Sequence, residues 1–357
     1  MPPRREPRPS PSRRDRRGPA PAARRSRVKV LAGVVAVVVG LVGGLIAWPR
    51  VRPPTAEARM AEARALLAAD RVAEADRALG RALELDPANA EAWRLRLEIL
   101  RVEDRTVEAL QLGRLALKRV ASEDRGGLLR SATAAAFAEI PDDQARDRLA
   151  RRIAADPDDV DARVALWNRM AAMPRAGDAG RDERIAGLTA ILDRDPGRAF
   201  ARASLAEALA DAGEVDRVRD LLDAWPEPDR DARYDRIRGR WDLDHDRRPD
   251  RAADAFRRAV GAMPHDWKAH YGLARALRAL GQEAEARREA EAVARLRELL
   301  DPSTLGPRLA SGLRSPGDPR AAADLADLCD RAGLHDLADA WRGESAPAPG
   351  IGNRSPR

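Results

Sequence analysis

Two hydrophobic patterns divide the chain. Between Val30 and Trp48 the run VLAGVVAVVVGLVGGLIAW holds 19 consecutive uncharged residues. At 1.5 Å per residue such a helix is roughly 28 Å long, close to the ~30 Å hydrocarbon core of a bilayer. It has no polar face, and Trp48 falls where an aromatic residue meets the membrane interface. The pattern predicts a transmembrane helix over residues 30–48. After Pro53-Pro54 the chain becomes rich in Ala, Leu, Arg and Glu, in helical stretches broken by short Asp-Pro or Gly turns. Runs of β-branched and aromatic residues are absent, as are hairpin dipeptides between alternating segments, so the prediction is all-α.

The breaks recur. Asp86-Pro87, Asp156-Pro157, Asp195-Pro196 and Met263-Pro264 are alike, and their prolines lie 70, 39 and 68 residues apart. Two intervals are close to twice 34, the third is one repeat plus a short insertion, and intervening breaks stand at Ala121–Asp124 and Trp225–Pro228. A period near 34 residues marks stacked helix pairs. In that register the chain resembles the tetratricopeptide repeat (TPR) family, in which small residues let the two helices of a unit approach and large apolar ones fill the space between units. The first unit supplies Ala63, Leu66, Ala75, Leu79, Ala82 and Pro87, and the second Trp93, Leu100, Ala109 and Ala116. A later unit supplies Leu205, Ala206, Leu209 and Gly213, another Leu273, Ala274, Leu277, Gly281 and Ala286, and the last Leu325, Ala326, Cys329, Gly333 and Ala338. Departures occur at Glu62, Leu97 and Trp167, in a Gly/Asp-rich insertion at 172–182, and around Arg125–Asp156, where only the second helix matches. The register near Gly239-Arg240-Trp241 is open by one residue. The resemblance implies a TPR-like α-solenoid of six or seven units plus a C-terminal helix pair. Its expected parts are a disordered Arg/Pro-rich tail (1–29), the span (30–48), the repeat array (55–300), a linker (301–319), the helix pair (320–342) and a disordered tail (343–357).

Charge changes the picture in one respect. The net charge is +7, yet residues 1–29 hold eleven Lys/Arg against two acids, and from Pro53 onward 52 basic residues face 56 acidic ones. The basicity therefore belongs to the tail. Seven prolines and no aromatic residue leave that tail nothing to bury and no platform for bases, so nucleic acid is a poor candidate partner and anionic membrane lipid a better one. The Lys/Arg bias before the span places the N-terminus in the cytoplasm of a bacterial cell and the repeats outside its inner membrane. A cleaved signal peptide competes with this single-pass anchor. Against it, the apolar run exceeds the usual length and no small-x-small site follows directly. Ala32, Ala36, Gly40 and Gly44 share one face of the span, where close helix approach would make a homodimer.

Candidate chemistry is sparse. One cysteine excludes a disulfide framework and a cysteine-rich metal site. His265 and His270 are five apart, on different helical faces, while His245 and His335 stand alone, which gives no metal-ligand set. Cys329 falls at an inward repeat position, where a buried inert thiol is expected. Asp142-Asp143 and Asp158-Asp159 sit at helix starts, where carboxylates cap free N–H groups. No glycine-rich phosphate loop or other cofactor motif occurs, and the repeats leave no room for a catalytic domain, so the chain reads as a non-enzyme without cofactors.

What remains is a binding surface. The resemblance implies a concave groove lined by the first helix of each unit, and on it would lie Asn168, then Phe200, Ala203, Glu207 and Ala210, then Lys268, Tyr271, Arg275 and Arg278. The last four form a cationic patch around an aromatic floor, suited to an acidic or carboxylate-bearing peptide. The plain alternative is a solvated helix face. The expected function is that of a membrane-anchored scaffold or adaptor holding a protein or peptide partner, with a chaperone-like role in envelope assembly as one version. The competing reading is a non-catalytic accessory subunit of a membrane enzyme complex.

Overall fold

The computed structural model describes residues 55–345 except 139, 172–177, 228–229 and 316. The expected tail, the transmembrane helix and its face of Ala32, Ala36, Gly40 and Gly44 lie outside the described residues, as does the chain beyond 345. The chain divides into Met1–Pro54 and Thr55–Arg357, and the described residues belong to the second unit. Among them no helix is long and apolar enough to cross a membrane.

Seventeen α-helices and no strand occur among the described residues. They are α1 (Ala56–Ala68), α2 (Val72–Leu85), α3 (Ala90–Val102), α4 (Thr106–Arg119), α5 (Arg125–Phe137), α6 (Asp142–Ala155), α7 (Val160–Ala171), α8 (Asp178–Arg194) and α9 (Ala199–Asp211). There follow α10 (Val215–Asp223), α11 (Ala232–Asp244), α12 (Pro249–Ala262), α13 (Trp267–Ala279), α14 (Glu283–Leu299), α15 (Pro302–Arg314), α16 (Pro319–Arg331) and α17 (His335–Ser345).

Two local devices repeat along this series. The first helix of a pair is capped by a side chain: Thr55, Asn89, Asp231, Asp266 and Asp318 each accept from a backbone N–H of the first turn. Asp159 does the same for α7, accepting from the Ala162 N–H at 3.0 Å. The second helix follows a tight turn whose central residue is left-handed: Asp70, Asp104, Gly213, Arg247, Gly281 and Gly333 have φ between 56° and 77°. Small residues then let the helices meet, for Ala63, Ala75, Ala82 and Ala206 are fully buried. Leu79, Leu97, Leu128 and Leu325 are equally enclosed, each contributing roughly 1.5–3 kcal/mol by burial.

The stack has one irregular place. Helix α5 packs on α3 and α4, whereas α6 turns away to pack on α7. Ala138, in extended conformation, ends α5, and Pro141 precedes α6. This is why the residues of Arg125–Asp156 fit the repeat pattern in only one helix. The opposite side of α5 is met by α15 and α17 from the far end of the chain, and one hydrophobic core joins Leu97 and Leu128 to Leu296, Leu325 and Trp341.

The segment 301–319, expected as a linker, is largely the helix α15. Its prolines do not prevent this. Asp301 caps the helix, accepting from the Ser303 N–H at 2.9 Å, and Pro302 stands at the first position, where no donor is needed. Pro307 removes one internal bond, and the burial of Leu305 and Leu309 offsets that loss.

Candidate functional site

The caps of α11 and α13 set the register that the sequence left open. Helix α13 begins at Trp267, so Lys268, Tyr271, Arg275 and Arg278 are its second, fifth, ninth and twelfth residues. Helix α11 begins at Ala232, so the same positions are Arg233, Arg236, Arg240 and Leu243. On α9 they are Phe200, Ala203, Glu207 and Ala210. The three helices pack in succession, α9 on α11 and α11 on α13.

On α13 the four groove residues are exposed, Tyr271 by 53% of its surface. The Arg275 guanidinium lies 5.9 Å from the centre of the Tyr271 ring. Arg275 is also tied to the end of α11, its Nη2 lying 2.7 Å from Asp244 Oδ1. That hydrogen bond raises its pKa against a smaller effect of burial. Lys268 stands 5.9 Å from the Trp267 ring. Neither Lys268 nor Arg278 has an ion-pair partner among the described residues. The same holds for Arg240, an exposed cation on α11 that the uncertain register had concealed. Beside Arg240 a shallow cleft opens between the α9–α10 turn and α11, lined by Ala210, Val215, Val218, Ile237 and Trp241.

Towards α9 the wall becomes neutral and closed. Arg236 bridges Glu207 at 2.9 Å and Asp266 at 3.4 Å, which joins three units. Asn168, on α7, donates to Ser204 Oγ at 2.8 Å and is half-buried. Phe200 does not line an open groove. It is only 8% exposed, with the guanidiniums of Arg105 and Arg233 at 5.4 and 5.5 Å from its ring centre. The reason lies in the winding of the stack, which brings the α3–α4 turn back against α7, α9 and α11. Arg105 there pairs with Glu108 at 3.0 Å, Glu103 at 3.2 Å and Asp161 at 3.3 Å. Burial works against its charge, but these carboxylates outweigh it and hold its pKa up. Beneath it Arg152 reaches Glu103 at 2.6 Å and Asp159 at 2.9 Å, all three side chains nearly inaccessible. Burial raises the Glu103 pKa despite both arginines.

The remaining candidates are structural in their surroundings. His270 is enclosed, with Nδ1 2.6 Å from Glu289 and Nε2 2.9 Å from the Pro264 carbonyl oxygen. His265 packs edge-on to Phe137 at 5.6 Å, and burial pushes its pKa down to about 4. Cys329 is fully buried and burial pushes its thiol up to about 12. His335 hydrogen-bonds Asp330 at 2.8 Å, and His245 stacks on Trp241 at 4.2 Å. Among the described residues no group of His, Cys, Asp and Glu is placed to hold a metal ion.

Helix pairs joined by tight turns and packed in succession define a helical-repeat solenoid. Two tetratricopeptide repeat families match the chain, one over residues 60–124 and the other over 185–240 and 245–301. Over these stretches the chain is built of tetratricopeptide repeats. No curated protein sequence matches it. Among solved structures it is similar to the crystal structure of MamA, at 19% identity and a TM-score of 0.29, covering 47% of this chain and 87% of that one. It is also similar to the crystal structure of the APC/C hetero-tetramer Cut9–Hcn1, at 15% identity and a TM-score of 0.40. That match covers 81% of this chain, and this chain spans about half, 52%, of the other. Tetratricopeptide repeats generally mediate contacts between proteins.

Proposed function

We propose that this protein is a membrane-anchored scaffold that holds an acidic segment of a partner protein against the inner wall of α11 and α13. The observation that carries this reading is the set of exposed cations Arg240, Lys268, Arg275 and Arg278 on two adjoining helices, with Arg275 beside the exposed Tyr271 ring. Three of them have no counter-ion among the described residues, so an incoming carboxylate gains a charge-assisted hydrogen bond without breaking one. The exposed ring adds apolar area at small entropic cost. Catalysis has no part in this reading, since the wall offers cations and a phenol but no paired nucleophile and base.

The apolar run 30–48 supports the anchor, and the basic residues before it support an extracytoplasmic repeat domain. Two experiments test the two halves separately. A reporter fused at the C-terminus is expected to be active only on the outer side of the inner membrane, and cytoplasmic activity would overturn the topology. Replacing Lys268, Arg275 and Arg278 with Glu is expected to leave helical content unchanged and to weaken capture of the acidic partner at least tenfold. Unchanged capture would move the site elsewhere.

A further inference from the structure

The inner face of α5 is covered, whereas that of α13 is open. Gly126, Leu129, Thr133 and Ala136 hold on α5 the helical positions that Lys268, Tyr271, Arg275 and Arg278 hold on α13. Helix α17 reaches two of them, Thr133 and Gly126. Trp341 donates its indole N–H to Thr133 Oγ1 at 2.9 Å, with both residues buried. Farther along, a Cβ on Gly126 would stand 3.0 Å from the carboxylate of Glu344, an exposed side chain of α17 that reaches this turn of α5. On α4, Arg114 grips Asp336 with Nε 2.6 Å from Oδ2. The Cys329 thiol of α16 adjoins the same Thr133 hydroxyl. A helix from the end of the chain thus occupies the groove of the third unit, 208 residues away in sequence.

The pair α16–α17 is a hairpin whose buried residues share the core of Leu97, Leu128 and Leu296. The two helices pack closely on one another, and Leu325, Cys329, Leu334, Leu337 and Ala338 are enclosed. A turn with Gly317 at φ +80° joins the pair to α15. The Arg114–Asp336 pair is half-exposed, at 30% and 48%, and such pairs add little to stability. Helix α6 has left α5 for α7, so α5 lacks a hairpin partner of its own.

We propose that α16–α17 is a cis ligand of the α5 groove, which leaves as a unit while the other repeats stay folded. The vacated groove accepts a partner's amphipathic helix of the same chemistry, an indole five residues after a carboxylate, as Trp341 follows Asp336. This inference does not rest on the cationic wall of α11 and α13.

The full-length chain carries its own reporter, because Cys329 is its one cysteine. Its burial leaves it unreactive until α16–α17 opens. Labelling by a disulfide reagent in dilute urea is expected to proceed through an opening whose urea slope is less than about half that of global unfolding followed by circular dichroism. Labelling with the free energy and slope of global unfolding would overturn the proposal. Combining Asp336→Arg with Trp341→Phe is expected to speed labelling at least tenfold with helical content retained. An unchanged rate, or loss of all helical content, would also overturn it. A fluorescein-labelled synthetic peptide of residues 332–345 is expected to bind this double variant at least tenfold more tightly than the unaltered chain. Equal affinity, including no binding to either, would show that the groove does not take a helix.

Discussion

The guanidinium of Arg105 lies 5.4 Å from the centre of the Phe200 ring, across 95 positions of sequence. That contact closes the inner wall at α9 and confines the open part to α11 and α13. Phe200→Ala is therefore expected to cost stability rather than partner affinity. Urea denaturation should show a loss of about 3 kcal/mol, the usual range for a truncated buried phenylalanine, with capture unchanged. A variant of full stability and lost capture would return Phe200 to the binding surface.

Below Arg105, Arg152 neutralises two enclosed carboxylates, Glu103 and Asp159. Removing it leaves Asp159 buried without a counter-ion among the described residues and Glu103 with Arg105 alone. Arg152→Ala is expected to destabilise the chain by about 3–5 kcal/mol in urea denaturation at neutral pH. A loss below about 1 kcal/mol would mean that water already reaches the pair.

Two histidines give opposite pH signatures. His265 is buried beside Arg114, and Asp266 only partly offsets this, so its folded pKa is about 4 against an ordinary 6.5. Below pH 6.5 the unfolded chain takes up a proton that the folded one refuses until about pH 4, so stability falls on acidification through that window. The loss is on the order of 3 kcal/mol, and His265→Leu is expected to remove that component of the Tm-against-pH curve. At His270 burial is outweighed by the Glu289 and Pro264 hydrogen bonds, and its pKa is raised above 6.5. Its contribution is complete below pH 6.5 and disappears as the pH rises through the raised folded value. The stability gap between the unaltered chain and His270→Gln is expected to narrow in alkaline solution, and a gap that widens there would reverse the assignment.

Close helix packing is tested by two glycines. A Cβ on Gly272 would stand 2.3 Å from the Phe256 ring, whereas one on Gly80 would meet nothing within 4 Å. Gly80→Ala is expected to stabilise by about 0.5–1 kcal/mol through helix propensity, and Gly272→Ala to destabilise by about 1–3 kcal/mol through overpacking. Thermal unfolding of the two variants should shift in opposite directions.

Much of the fold was legible because the repeat pattern is local. Asp-Pro and Gly breaks, with small residues such as Ala75, Ala206 and Ala274 at fixed intervals, specify helix pairs without reference to distant contacts. Helix α15 was hidden by Pro302, tolerated at the first position after the Asp301 cap, and by Pro307, whose lost bond the burial of Leu305 and Leu309 offsets. Of the groove, Lys268, Tyr271, Arg275 and Arg278 were readable from one well-matched unit, while Arg240 needed the Asp231 cap to fix its register. The burial of Phe200 and the cover on Thr133 were not readable at all. Both depend on how the whole stack winds, which brings Arg105 and Trp341 to residues far away in sequence.

The central claim is that the wall of α11 and α13 receives an acidic partner. A photo-crosslinking amino acid at position 271 of the full-length chain, activated in living cells, tests it most directly. The account predicts a discrete adduct that is lost when Lys268, Arg275 and Arg278 are replaced by Glu and persists when the exposed Lys118 and Arg119 are replaced instead. An adduct that survives reversal of the wall's charge would contradict it.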